Sequence, residues 1–309
     1  MKILIAGLGS IGKRHLSAIQ KIGGIETAAL RTGKGTLKEK SDIQEFYSIQ
    51  EALEYKPDGV LIANPTSKHV ETALPFLEKG IKVLIEKPID DSISESRKLE
   101  PYKENILVAY CMRFFPLSSF IKDLSSKENI FKISFQRSFY LPKMHPYADY
   151  RTEYAAKKEL GGGVIRTFSH EIDMMLYWFG KPVSVTGVTD KISHLEMDTD
   201  DFAFLTAKTK HGARINFELD FFAPVNVNVG EAFTEKGKYF WDVKGIQFIS
   251  YNDSEPKEIL KYPENIFDIM YLEQIKDFVG FINGKKSINA TYKSAIQVLE
   301  IIEKIDAKQ

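Results

Sequence analysis

The chain opens MKILIAGLGSIGKRHL, and no other stretch limits the fold as strongly. An apolar run leads directly into Gly7, Gly9 and Gly12, spaced G-x-G-x-x-G, and a helical pattern follows. The first glycine permits a tight turn, the second lets backbone approach a pyrophosphate, and the third lets helix and strand pack closely. The free amides and positive dipole end of the helix then suit phosphate. Strand, glycine turn and helix in this order predict the first βα unit of a dinucleotide-binding domain.

The next hundred residues keep the same rhythm. IETAAL, GVLIA, IKVLIE and ILVAYC are nearly unbroken apolar runs, as strands buried on both faces of a parallel sheet require. Between them, Val70, Ala73, Leu74 and Leu77 form a helical stripe that Gly80 can close, with a kink expected at Pro75. After about residue 120 two-residue alternation takes over, in FKISFQRSFY, PVSVTGVT, FAFLTAKT, ARINFELDFF, VNVNVG and IQFISY. The expected fold is α/β: an N-terminal Rossmann domain with a doubly wound parallel sheet, and a C-terminal α+β domain on a largely antiparallel open sheet. Boundaries fall at 1–118 and 119–309, and the C-terminal helix can return to the first domain. The sheet's spare face suits a homo-oligomer.

Lys plus Arg and Asp plus Glu both number 42, so nothing in the overall charge points to nucleic acid or acidic lipid. No stretch approaches the roughly 18 to 20 apolar residues of a membrane span. Cys111 is the only cysteine, so no intrachain disulfide can form. A soluble, cytoplasmic chain is expected. The six histidines are scattered without metal-ligand spacing, so no metal is expected.

About where an acidic residue would meet the ribose 2′-hydroxyl of NAD, the second strand ends at Arg31, followed by Thr32 and Lys34. No carboxylate follows until Glu39. A guanidinium and an ammonium suit a 2′-phosphate, so NADP(H) is expected over NAD(H), unless RTGKG is only a solvated loop.

IKVLIEKP ends a strand with Glu86, Lys87 and Pro88, where an open α/β sheet binds ligands. Taken alone, a lysine at a strand end is more often a solvated residue. GLGSIG, NPTSKH, EKP and then GGG followed by His170 occur in an order and spacing that resembles the glucose–fructose oxidoreductase/inositol dehydrogenase (Gfo/Idh/MocA) family. The resemblance spans nearly the whole chain. It implies hydride transfer between a nicotinamide cofactor and a hydroxyl or keto carbon of a sugar. It implies cofactor contacts at Gly7, Gly9, Ser10, Ile11, Gly12, Asn64, Pro65, His69, Glu86 and Lys87. It also gives Lys87 the reacting hydroxyl and His170 the proton. The chemistry fits, because hydride can leave an alcohol only as its proton is taken up, and an imidazole near neutrality suits that task. Lys87 can stabilise the developing alkoxide.

The chain departs from the family where many members carry an aspartate four residues before the histidine and a glycine two before it; here stand Arg166 and Phe168. If one helix holds both, Arg166 and His170 share a face. Arg166 then either receives an anionic substrate group or pairs with Asp173, Glu171 or another carboxylate. YLPKMHPYADYRTEY resembles segments of members associated with bacterial surface sugars, which suggests a sugar acid or nucleotide sugar and brings in Tyr147, Arg151 and Tyr154. Arg113 and Tyr110 could line the cleft, while Cys111 reads as packing. Arg113, Arg151, Tyr154, Arg166 and Asp173 are therefore the candidate substrate contacts. Two rival readings are a redox-neutral glycosidase using held NAD, and a catalytically silent nucleotide-binding sensor.

Overall fold

A computed structural model describes residues 1–32, 42–146 and 148–307. Lys34, Glu39 and Tyr147 lie outside the described residues. The chain forms two compact units: Met1–Phe114 with Phe267–Leu299, and Phe115–Ile266 with Glu300–Gln309.

The first unit is built on strands β1 (Lys2–Ala6), β2 (Glu26–Leu30), β3 (Gln44–Phe46), β4 (Gly59–Ile62), β5 (Lys82–Ile85) and β6 (Ile106–Val108). Their order in the sheet is β3-β2-β1-β4-β5-β6, all parallel, with a two-residue antiparallel strand, Ala290–Thr291, beyond β6. Consecutive residues Ile3, Leu4 and Ile5 are all fully buried, so both faces of β1 are covered. Strand order reverses between β1 and β4, which places a ligand crevice at their carboxyl ends. Gly59 lets the helix Ile266–Ile282 settle on β4, since a Cβ there would lie 2.4 Å from Ile282 Cδ1. The helix His69–Leu77 contains Pro75, and Gly80 closes the turn beyond it at φ +73°. The three-residue β3 carried no apolar run and was missed from sequence.

The second unit holds β7 (Ile130–Tyr140), β8 (Ser184–Asp190), β9 (Phe202–Lys208), β10 (Arg214–Asp220), β11 (Phe222–Thr234), β12 (Gly237–Trp241), β13 (Gly245–Ser250) and β14 (Lys257–Lys261). They form one sheet ordered β14-β13-β12-β11-β7-β10-β9-β8, antiparallel except where β10 runs parallel to β7. Alternation decides the faces. In β9, Ala203, Leu205 and Ala207 are buried while Phe204 is exposed. Phe168, leading into the helix Ser169–Phe179, packs its ring against Phe139 and Phe221 of the sheet. That helix meets the helix Pro116–Lys127 where Trp178 Nε1 donates to the Ser118 carbonyl at 3.1 Å. A groove of about 560 Å³ on the sheet is lined by Gln136, Phe204, Asn216, Glu218, Lys238 and Phe240.

Candidate active site

At the end of β1 the chain enters the helix Ser10–Ile22 through the glycine turn. Gly7 has φ +99°, and a Cβ there would lie 2.7 Å from the Ala63 carbonyl oxygen. A Cβ at Gly12 would lie 2.0 Å from the carbonyl oxygen of Gly7, so these two glycines are required by packing. Gly9 is different. It has an ordinary backbone, and a Cβ built on it would meet none of the described residues within 4 Å. Gly9 and Ser10 are exposed and Ile11 is half-buried, so the first amides of the helix face an open cradle. Asn64, beside Gly7, keeps its amide nitrogen on Thr72 Oγ1 at 2.7 Å, while its buried Oδ1 has no hydrogen-bond partner among the described residues. A cradle at a helix N-terminus and an orphaned acceptor beside it fit a dinucleotide. Pro65 is exposed beside them.

His69 holds the frame of this crevice. Its Nδ1 lies 3.0 Å from the Pro88 carbonyl oxygen and its Nε2 lies 3.0 Å from that of Asn64. The ring therefore ties the turn after β4 to the turn after β5. Burial pushes its pKa below the usual histidine range.

At the end of β5, Glu86 is almost fully buried and accepts a hydrogen bond from His15 Nε2 at 2.6 Å. His15, from the glycine-turn helix, is itself fully buried with its ring edge-on to Tyr271. Sequence reasoning passed over His15, although it follows the glycine turn by a single helical turn. Glu86 Oε2 also accepts from the Lys87 amide at 3.1 Å. Lys87 is half-buried between buried Glu86 and buried Pro88, with a cis Lys87–Pro88 peptide. Asp90 caps the next turn beneath it, taking the Ser92 amide at 3.3 Å. Its burial and the neighbouring Asp91 push its pKa up to about 7.

Arg31 sits at the end of β2, but it is not met by basic groups alone. Its Nη1 lies 2.6 Å from Glu45 Oε1 of β3. The absence of a nearby carboxylate, inferred from the run after Arg31, is thus corrected: strand pairing brings one from β3. Thr32, next to it, is exposed. Two expectations for the last Rossmann strand change as well. Tyr110 is fully buried and does not line a cleft, and Arg113 is buried with Nη1 donating to the Ile288 carbonyl at 3.2 Å. Cys111 is buried.

In the second unit the stretch from Gly161 to Gly180 is two helical pieces, Val164–Thr167 and Ser169–Phe179, broken at Phe168. Arg166 and His170 therefore do not lie on one continuous helix. Arg166 pairs with Asp306 at 2.9 Å, near the end of the last helix, rather than with Glu171 or Asp173. Val164 and Ile165 donate their amides to Asp200, one to its carbonyl and one to its carboxylate, each at 3.0 Å. That carboxylate, from a distant part of the chain, takes an amide of the short helix's first turn, and burial pushes its pKa up to about 6. The glycine run makes room for this arrangement. A Cβ at Gly163, whose φ is +111°, would lie 2.2 Å from Asp200 Oδ1, and one at Gly162 would lie 2.1 Å from the Tyr154 carbonyl oxygen.

His170 is half-buried and the second residue of its helix, whereas Glu171 and Asp173 are buried. Tyr154 donates its hydroxyl to Thr167 Oγ1 at 3.1 Å. Arg151 is half-exposed and bound to Asp149 at 2.9 Å and Glu196 at 3.4 Å. Asp200, Asp306 and Glu45 carried no sequence signal, since each matters only through a partner distant along the chain. Among the described residues no three His, Cys, Asp or Glu side chains gather as a metal site would require, and no helix is long and apolar enough to cross a membrane.

A Rossmann sheet with an open glycine cradle, followed by a mostly antiparallel open sheet, defines a dinucleotide-dependent oxidoreductase. Residues 1–104 match the oxidoreductase family with an NAD-binding Rossmann fold, and residues 129–240 match the GFO/IDH/MocA C-terminal domain. The chain belongs to the GFO/IDH/MocA family. It is similar to the rhizopine catabolism protein MocA of Rhizobium meliloti, 23% identical over 97% of this chain and 92% of that protein. Its fold matches the WlbA dehydrogenase of Bordetella pertussis, solved with NADH and UDP-GlcNAcA, at TM-score 0.82 and 17% identity, covering 99% and 94% of the two chains. A myo-inositol dehydrogenase of Corynebacterium glutamicum matches at TM-score 0.79 and 21% identity over 100% and 97%.

Proposed function

We propose that this oxidoreductase transfers hydride between NADP(H), with NAD(H) also accepted, and a carbinol or keto carbon of a sugar, with an acidic or nucleotide sugar as the substrate class. The observation that carries the reading is the placement of the Gly9 cradle and the EKP segment at the carboxyl ends of β1 and β5, on either side of the switch point. The bound cofactor would supply the hydride acceptor or donor. Gly7, Gly9, Ser10, Ile11 and Gly12 would seat its pyrophosphate, with Asn64 and Pro65 beside them and Arg31 and Thr32 at its adenosine ribose. Lys87 would donate to the reacting oxygen, whose charge is greater in the transition state than in the ground state. His170 would take up and return the proton.

Glu86 and His69 act in this scheme by holding the turns that bear Lys87 and Asn64. Arg151, Tyr154 and Asp173 stand in the unit that would receive the sugar, and Arg166 there already has a carboxylate partner. The mostly antiparallel sheet's exposed face, with Phe204 and Val229 on it, is proposed as the contact between copies of the chain. Sedimentation of a monomer at all concentrations tested would remove that part.

The test is turnover of NADPH and NADH with a panel of keto sugars, comparing wild type with Lys87→Met and His170→Asn. Each variant is expected to lose about 100-fold or more in kcat while still binding cofactor. Undiminished turnover in both would remove the mechanism.

A further inference from the structure

The end of β2 carries a charged pair that the run of sequence there conceals. Ala29 pairs with Glu45 and Leu30 with Phe46 in the parallel ladder, and the Arg31 amide donates to the Phe46 carbonyl at 2.9 Å. Paired residues of neighbouring strands share a face and side chains alternate along each strand, so Arg31, Glu45 and Tyr47 project to the same side at the strands' carboxyl ends. Arg31 Nη1 lies 2.6 Å from Glu45 Oε1, and Tyr47 Oη donates to Glu45 Oε2 at 2.7 Å. The Arg31 and Glu45 side chains are only 14% and 9% exposed. Shielding from solvent strengthens such a pair and makes either charge costly to leave alone.

From this placement we infer that Glu45 tunes cofactor choice: it engages the guanidinium that would contact a 2′-phosphate and sets a negative charge beside that place. The inference rests on the dinucleotide reading above and adds a residue to it. An arginine at this place favours NADP(H), and an acid favours NAD(H). This chain has both, locked to each other. Among the described residues, a 2′-phosphate arriving here would meet the Arg31 guanidinium and, beside it, the Glu45 carboxylate, which offsets part of the gain from Arg31. A 2′-hydroxyl brings no charge and leaves the pair intact. The wild-type protein therefore accepts both cofactors with a small margin, and removing the carboxylate widens that margin toward the phosphorylated one.

The experiment measures dissociation constants of NADPH, NADH, 2′,5′-ADP and 5′-AMP for the full chain by calorimetry. The proteins compared are wild type, Glu45→Gln, Glu45→Asp, Arg31→Gln and the double variant Arg31→Gln/Glu45→Gln. Glu45→Gln is expected to tighten NADPH and 2′,5′-ADP about tenfold, the size of one charge-assisted hydrogen bond, with NADH and 5′-AMP unchanged. Glu45→Asp, which keeps the charge but shortens its reach, should shift the ratio in the same direction by less, and it serves if the glutamine variant does not fold. In the Arg31→Gln background Glu45→Gln should still relieve the repulsion of the 2′-phosphate but no longer release a guanidinium to it, so the tightening should be smaller than in the Arg31 background. An unchanged NADPH-to-NADH ratio in both Glu45 variants, with Arg31→Gln altering it, would overturn the role of Glu45 and leave the dinucleotide reading standing. Failure of the wild type to bind any of the four probes would overturn that reading, and this inference with it.

Discussion

Two glycine clusters, one in each unit, work in opposite ways. At Gly9 a side chain would meet no described residue within 4 Å of its Cβ. At Gly162 and Gly163 a side chain would strike the protein itself, 2.1 Å from the Tyr154 carbonyl oxygen and 2.2 Å from Asp200 Oδ1. The first cluster leaves room that none of the described residues fills. The second lets the segment after Tyr154 fold tightly beneath the helix that bears His170. Glycine in a motif thus has two meanings, and the volume around its missing Cβ separates them.

The largest expected effect follows from the filled cluster. Gly162→Ala must move backbone carbonyls of Tyr154, Ala155 and Lys157, which lie at 2.1, 2.8 and 2.8 Å from the added atom. Overpacking against main chain should cost about 3 kcal/mol of stability, read as a lowered midpoint in denaturant. A variant as stable as wild type would contradict the filled-space account.

The Asp200 carboxylate beside that cluster should be visible as a pH dependence of intermediate size. Burial is the main cause that pushes Asp200 from 3.8 to about 6; the Ile165 amide opposes it, Asp306 adds to it and Arg166 opposes it. The folded chain therefore holds a proton that the unfolded chain has released between about pH 4 and pH 6. Stability from this group is greatest at the acid end of that window and falls as pH rises through it. Asp200→Asn keeps an acceptor for the Ile165 amide and removes the charge. Its stability relative to wild type should rise by about 2 kcal/mol from the acid end of the window to neutral pH. Urea midpoints of both proteins across that range check this, and a constant difference would contradict it.

How much of this could be read beforehand depended on whether the cause was local. The strands KILIA, GVLI and KVLI, the glycine turn and the alternation of β9 and β10 follow from neighbours in sequence, and the sequence reading anticipated them. β3 was not anticipated, since QEF has no apolar run and is held by pairing with β2. The partners that define the site were also hidden. Glu45 reaches Arg31 through strand pairing, Asp306 reaches Arg166 from the last helix, and Asp200 takes an amide of a helix that begins at Val164. The break at Phe168 likewise falls where no helix-breaking residue stands. Charge partners and amide acceptors of this kind are fixed by tertiary placement, and a linear pattern does not record them.

The smallest expected change in stability belongs to Gly9→Ala, and it is the most direct test of the open cradle. The account predicts a denaturant midpoint indistinguishable from wild type, together with NADH and NADPH dissociation constants that both rise about tenfold, as expected if a methyl group displaces a phosphate from the helix amides. Unchanged cofactor binding, or a loss of stability parallel to that of Gly162→Ala, would contradict it.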